Sequence, residues 1–221
     1  MSANPVPVAL ARGITYDDWD QGTLADGTAV DAVLVHQRQI EDWLLKPAAR
    51  LDNHDDGFAQ LVVTLTFFEA HGQYLAGCVE GRGKSRQNFR TGWKAFCGQT
   101  APTFKSAADT VYDAGRCGLF HSALTKPTVM LDPTQSVALD DANGILRICP
   151  SRLLEHVCAY FKDYLAELRA PTSQHRTNFE TVFEARTGRA ANSAGRRGAM
   201  TSRTVDATLS GSVGPSDTGI G

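Results

Sequence analysis

The chain has 221 residues, enough for one sizeable domain or two small ones, and 42% of them are hydrophobic, which supports an ordinary core. Its 22 Lys and Arg against 24 Asp and Glu leave a net charge of −2, with no overall basic footprint for extended nucleic-acid binding. Its five cysteines, Cys78, Cys97, Cys117, Cys149 and Cys158, form no CxxC pair. That excludes a paired-cysteine zinc site and points to small buried side chains in a reducing compartment. No basic stretch followed by an apolar run opens residues 1–13, so no secretory signal is expected. The longest apolar run, 61–68, is far short of the ~20 residues that span a bilayer. A soluble, cytoplasmic protein without membrane contact is the expectation.

Residues 1–28 read as a partly flexible lead-in in which Ile14, Tyr16 and Trp19 are the candidates to pack. A first helix is expected over 29–50, with Val33, Leu34, Gln37, Ile40, Trp43 and Leu44 near one face and Pro47 kinking or ending it. The polar link 53–57 offers Asp55 or Asp56 as the next N-cap. A second helix, 58–79, is apolar almost all round in its first half, as a central bundle helix would be.

Gly81-Arg-Gly-Lys-Ser85 has a P-loop flavour, but Cys78 stands where the motif needs a glycine and a helix precedes it, so it reads as a basic turn. Arg82, Lys84, Arg86 and Arg90 nevertheless form the best local phosphate-attracting patch, suited to RNA. A third helix, 85–96, places Phe89, Trp93 and Phe96 on one face, with Gly98 as its stop. A fourth, 104–124, carries Asp-Ala-Gly-Arg-Cys-Gly-Leu-Phe-His at 113–121. Arg116 and His121 break into its packable face, about 140° apart around a helix of 3.6 residues per turn. Gly115 and Gly118 suggest a tight crossing by a neighbouring helix.

Strands are expected at 128–131, 137–140 and 145–148, with Asn143-Gly144 turning the last two into a hairpin. An amphipathic helix over 150–169 and a shorter one anchored by Phe179, Val182 and Phe183 close the ordered part. Residues 187–221, dominated by Gly, Ser, Ala, Thr and Arg, read as a disordered tail.

An Arg, four residues and a His on a glycine-bearing fourth helix resembles the signature of the HEPN superfamily (higher eukaryotes and prokaryotes nucleotide-binding domain). The run Arg-Cys-Gly-Leu-Phe-His-Ser, followed by a hairpin and a helix, looks most like an uncharacterised plasmid- and genome-borne bacterial branch. Cys117 stands where many members have a polar residue. The resemblance covers 32–169 and implies a mainly α fold: an antiparallel helical bundle with a short β-hairpin insertion and C-terminal helices, over 29–186. It implies a metal-independent endoribonuclease of a defence or toxin–antitoxin type, with Arg116 and His121 catalytic, no cofactor, and a homodimer that joins two pairs in one cleft. An antitoxin or defence partner protein would accompany it.

A His is suited to moving the proton of a 2′-hydroxyl or a 5′-oxygen, and an Arg to holding phosphorane charge. The structural alternative is a His at a helix end and an Arg paired with a carboxylate, for which Asp113 is three residues away. The chain would then be a non-catalytic dimerisation module binding a protein partner or nucleotide. His36 and His71 are placed to face the core, and His156 lies at the edge of its helix's apolar stripe. The pairs Glu41–Asp42, Asp55–Asp56 and Asp140–Asp141, and His54 beside Asp55, read as surface features. No Ser-His-Asp arrangement emerges.

Overall fold

The computed structural model describes residues 9–51, 56–118, 126–170 and 173–188. Among the described residues the chain is mainly helical with two small sheets. It opens with a short antiparallel pair, β1 (Ala9–Ala11) and β2 (Ile14–Thr15), and a one-and-a-half-turn helix, α1 (Tyr16–Gln21). Thr15 and Asp18 form a reciprocal capping box that starts α1. Leu10, Ala11, Ile14 and Trp19 are buried in the same core as the bundle. Trp19 reaches Phe183, with ring centroids 5.3 Å apart. The lead-in is therefore tied to the other end of the described chain.

The first long helix begins as α2 (Ala32–Ile40), widens into a π segment at Glu41–Leu45 and resumes as α3 (Lys46–Arg50). Pro47 explains the widening. Proline has no N–H, and its ring clashes with the carbonyl four residues earlier. A π turn relieves that clash without ending the helix. Asp31 caps α2 by accepting from the Leu34 amide at 2.7 Å.

Helix α4 (Gly57–Ala76) is the centre of the fold. It packs on α3, on α5 (Ser85–Thr100), and on the two later helices α7 (Pro150–Arg169) and α8 (Gln174–Thr187). Its near-continuous apolar sequence follows from being surrounded. Asp56, one of the two expected candidates, is its N-cap, without a side-chain cap hydrogen bond; Asp55 lies outside the described residues. Gly77 ends α4 in the left-handed region, with φ 63°.

The α4–α5 crossing is made by two glycines facing each other's helix. A Cβ on Gly72 would lie 1.8 Å from the Asn88 carbonyl oxygen, and one on Gly92 would lie 2.1 Å from that of Phe68. Neither helix tolerates a side chain there. Around the crossing, Phe68 meets Phe89, Trp93 and Phe96 at centroid distances of 5.7, 5.0 and 5.2 Å. Helix α5 runs on through Gly98 to Thr100, so Gly98 does not stop it. The stop comes at Ala101, ahead of Pro102.

After α5 the backbone changes pitch three times: a 3-10 segment at Pro102–Ala107, a turn of α-helix, α6 (Ala108–Thr110), and a second π segment at Val111–Cys117. The expected single α-helix over 104–124 is thus three geometries as far as Gly118, and 119–125 lie outside the described residues. The Trp93 indole donates to the Phe104 carbonyl at 2.9 Å and anchors the 3-10 segment to α5.

The second sheet has the order β3-β5-β4, from β3 (Val129–Leu131), β4 (Leu139–Ala142) and β5 (Ile145–Ile148). The β4–β5 hairpin turns at Asn143 and Gly144, with φ 57° and 77°, as a two-residue turn with both φ positive requires. The first strand does not extend this as an antiparallel unit. It pairs in parallel with β5, because residues 132–138 carry the chain past the position that β5 later fills.

The amphipathic stripes of α7 and α8 are buried where expected; Phe179, Val182 and Phe183 are fully covered. Cys97 and Cys149 are buried, and burial pushes the Cys97 thiol up to about 12. Cys158, against expectation, is exposed: it sits on the outward face of α7. The tail beyond 188 lies outside the described residues.

The glycines separate close approach from mere flexibility. Gly72→Ala and Gly92→Ala should each cost about 3 kcal/mol or more, the upper range for overpacking, because backbone must move. Gly98→Ala meets only the flexible end of Lys105 at 3.0 Å and should be neutral or stabilising by up to about 1 kcal/mol. Urea unfolding of the three variants against the parent checks the contrast.

Candidate functional site

Arg116 projects from the π segment towards α4. Its neighbour Gly115 lies over Leu65, where an added Cβ would come within 3.2 Å of the leucine Cδ1. One turn further along α4, Glu69 accepts a hydrogen bond from Arg116 Nη2 at 2.9 Å. The pair is shielded on both sides, with the Arg side chain 20% exposed and that of Glu69 22% exposed. Glu69 was not singled out in the sequence. Its signal is a lone carboxylate directly after the apolar run of α4. The expected structural partner, Asp113, instead reaches across to α5.

The basic patch divides in two. Arg82 and Lys84 sit exposed on the turn between α4 and α5, and neither forms an ion pair among the described residues. Arg86 and Arg90 are latched to the segment that carries Arg116. Arg86 grips Asp113 through both terminal nitrogens, one contact at 2.9 Å, and lies 3.4 Å from Asp109. Arg90 Nε donates to Asp109 at 2.6 Å. The Arg90 hydrogen bond is the main cause that holds the Asp109 carboxyl below its usual range. The Arg86 guanidinium also covers the Tyr112 ring at 4.9 Å, and the Tyr112 hydroxyl donates to Ser85 at 3.2 Å.

Arg86, Arg90 and Arg116 therefore border one region where the start of α5, the π segment and the middle of α4 meet. Arg86 and Arg116 are joined to it through Asp113 and Glu69. His121 lies outside the described residues, as do His54 and Asp55. The remaining carboxylate pairs are structural: Lys46 bridges Asp42 and Glu41, and Arg147 pairs with Asp140. Among the described residues no three His, Cys, Asp or Glu side chains converge as metal ligands would. Nor is any helix among them long and apolar enough to cross a membrane. Compared with protein-family models, curated proteins and solved structures, the chain matches none.

The two core-facing histidines are fully interior. His71 Nε2 shares a 3.0 Å hydrogen bond with the Tyr160 hydroxyl, and its ring stacks on Phe67 with centroids 5.0 Å apart. His36 packs among Tyr74, Phe161 and Phe179. Burial pulls His71 well below the usual histidine range, and burial followed by the charge of Arg186 takes His36 to about 3. His156, expected at the edge of its stripe, is exposed.

Two outcomes follow. A histidine buried neutral binds its proton in the unfolded chain first, so stability falls as pH drops below about 6.5 and towards the folded value. At 1.36 kcal/mol per unit, His36 should remove about 2–3 kcal/mol between pH 7 and 4.5. Urea midpoints at the two pH values should show a smaller drop in His36→Phe. Replacing both Asp109 and Asp113 by Asn unlatches Arg86 and Arg90 and removes two negative charges. Binding to single-stranded RNA at low salt should tighten several-fold, with a steeper salt dependence; filter binding across a salt series measures it.

Proposed function

We propose that the chain is an endoribonuclease of the HEPN type that cleaves RNA through Arg116 and His121. The observation that carries the reading is the placement of Arg116. Its guanidinium leaves a π segment, a backbone form found often at functional sites, and is oriented by a carboxylate of the central helix. The mainly helical architecture and the Arg-x-x-x-x-His spacing support it.

The chemistry is a transesterification. A base takes the 2′-hydroxyl proton, the 2′-oxygen bonds to phosphorus, and the bond from phosphorus to the 5′-oxygen breaks as an acid protonates that oxygen. The products are a 2′,3′-cyclic phosphate and a 5′-hydroxyl. Arg116 neutralises the phosphorane oxygens. One chain supplies one Arg–His pair, so a homodimer joining two pairs gives one His as base and the other as acid. Arg82 and Lys84 extend the positive surface along the RNA backbone, and Glu69 is a positioning residue. The setting is cytoplasmic defence or a toxin–antitoxin pair, with a partner protein holding the activity in check.

The ion pairs also favour a second reading. An arginine satisfied by Glu69, beside two more satisfied by Asp109 and Asp113, is what a non-catalytic dimerisation module would contain.

Incubation of the purified chain with labelled RNA in EDTA separates the two. His121→Ala and Arg116→Gln should each lose about 100- to 10,000-fold in rate, the range for a general acid–base group, at an unchanged melting temperature for His121→Ala. Cleavage by His121→Ala equal to the parent's would refute the catalytic role. No cleavage by the parent, with both variants melting lower, would favour the module.

A further inference from the structure

A groove of about 350 Å³, within the range of small-molecule pockets, lies between the 3-10 segment, α6 and the three-stranded sheet. Five polar side chains wall it: Thr103, Ser106, Thr110, Thr128 and Asp141. Backbone pitch sets three of them in a row. Residues three apart eclipse in a 3-10 turn, which aligns Thr103 with Ser106, and residues four apart on an α turn share a face, which adds Thr110. The sheet supplies the other two. The Thr128 carbonyl accepts from the Leu146 amide at 3.0 Å, and Asp141 lies opposite Leu146 in the hairpin.

The hydroxyls are the informative groups. On the other helices, Thr64, Thr91 and Thr100 return theirs to a carbonyl of the preceding turn, at 2.8, 3.0 and 2.9 Å. The four at the groove belong to exposed residues and make no hydrogen bond among the described residues. Asp141 is exposed too. Its Oδ1 accepts the Gly144 amide at 3.0 Å, which leaves Oδ2 for a guest. No Lys, Arg or His lines the groove. Lys105, from the same segment, lies instead over Gly98 on α5, where an added Cβ would come within 3.0 Å of its Cε. An anionic guest would therefore meet one carboxylate and no cation. A hydroxyl both donates and accepts, so these walls match a guest whose own groups do the same, better than an ammonium that only donates. Phe104, packed in part on the core, gives the groove an apolar wall.

We propose that this groove binds a neutral sugar ring, with two adjacent ring hydroxyls donating to Asp141 Oδ2, others meeting the Ser106, Thr110 and Thr128 hydroxyls, and a C–H face of the ring on Phe104. The bonds to the carboxylate are charge-assisted and set the orientation. Neither the site nor its guest depends on the RNA-cleaving reading. A free saccharide and the ribose at the end of a nucleic acid both offer adjacent hydroxyls; they differ in ring, pyranose against furanose.

Titration of the full chain with the methyl glycosides of glucopyranose, galactopyranose, mannopyranose and ribofuranose, followed by backbone-amide NMR, tests this. At least one should bind at a single saturable site with a Kd below about 10 mM, and the shifts should centre on Ser106, Thr110, Asp141 and Gly144. Binding of a pyranoside identifies a saccharide as the guest, and binding of the ribofuranoside alone identifies ribose. Asp141→Asn keeps an oxygen for the Gly144 amide and should weaken the bound glycoside about tenfold. Thr110→Val, which keeps the side-chain shape and loses the hydroxyl, should weaken it several-fold and carries the test should Asp141→Asn disturb the hairpin. No saturable shift with any of the four at about 50 mM would overturn the proposal. So would saturable shifts centred on other residues, or binding that is unchanged in both variants.

Discussion

The reciprocal glycine contact between α4 and α5 is the constraint on which the rest of the molecule depends. Gly72 and Gly92 let each helix backbone rest against a carbonyl of the other. That closeness sets the depth of the Phe68, Phe89, Trp93 and Phe96 cluster and fixes where the turn bearing Arg82 and Lys84 leaves the bundle. It also decides what lies opposite the Arg116 segment. With α5 drawn in, the π segment can lie against both helices, Arg86 reaching Asp113 on one side and Arg116 reaching Glu69 on the other.

The charges in this region are balanced rather than accumulated. Three arginines, Arg86, Arg90 and Arg116, meet three carboxylates, Asp109, Asp113 and Glu69, with the outer pairs exposed and the Arg116–Glu69 pair shielded. Exposed pairs of this kind are each worth little to stability. Their larger effect is on potential: they leave Arg82 and Lys84 as the outlying positive charge of the patch. An RNA-cleaving site here would be electrostatically modest, in keeping with the chain's net charge of −2. Two such sites brought together by a dimer would present twice that field to a phosphate.

The helices were legible because their apolar residues recur every three to four positions and must be buried. The Asn143-Gly144 turn was legible because few other dipeptides accept two positive φ values. Three features were not. The π segments leave no periodic trace of their own; Pro47 explains one only after the helix is seen to continue. The parallel β3–β5 pairing depends on where residues 132–138 carry the chain, which local pattern does not encode. The ion pairs were misread where sequence proximity suggested Asp113 for Arg116. Three residues apart on a regular helix, they would be neighbours. On the π segment Asp113 turns to Arg86, 27 residues away, and Arg116 to Glu69, 47 residues away. The glycines were half legible: Gly115 does rest against α4, but the tighter crossing at Gly72 and Gly92 lay in helices read for their large apolar residues alone.

What separates a working arginine from a structural one is where its coupling to Glu69 appears. A double-mutant cycle with Glu69→Gln and Arg116→Gln, measured both in urea unfolding and in RNA cleavage, tests this directly. If Glu69 positions Arg116 for chemistry, the coupling in cleavage rate should exceed that in unfolding, with the double variant no worse a catalyst than Arg116→Gln alone. Coupling confined to unfolding, with cleavage absent from the parent or indifferent to both substitutions, would contradict it.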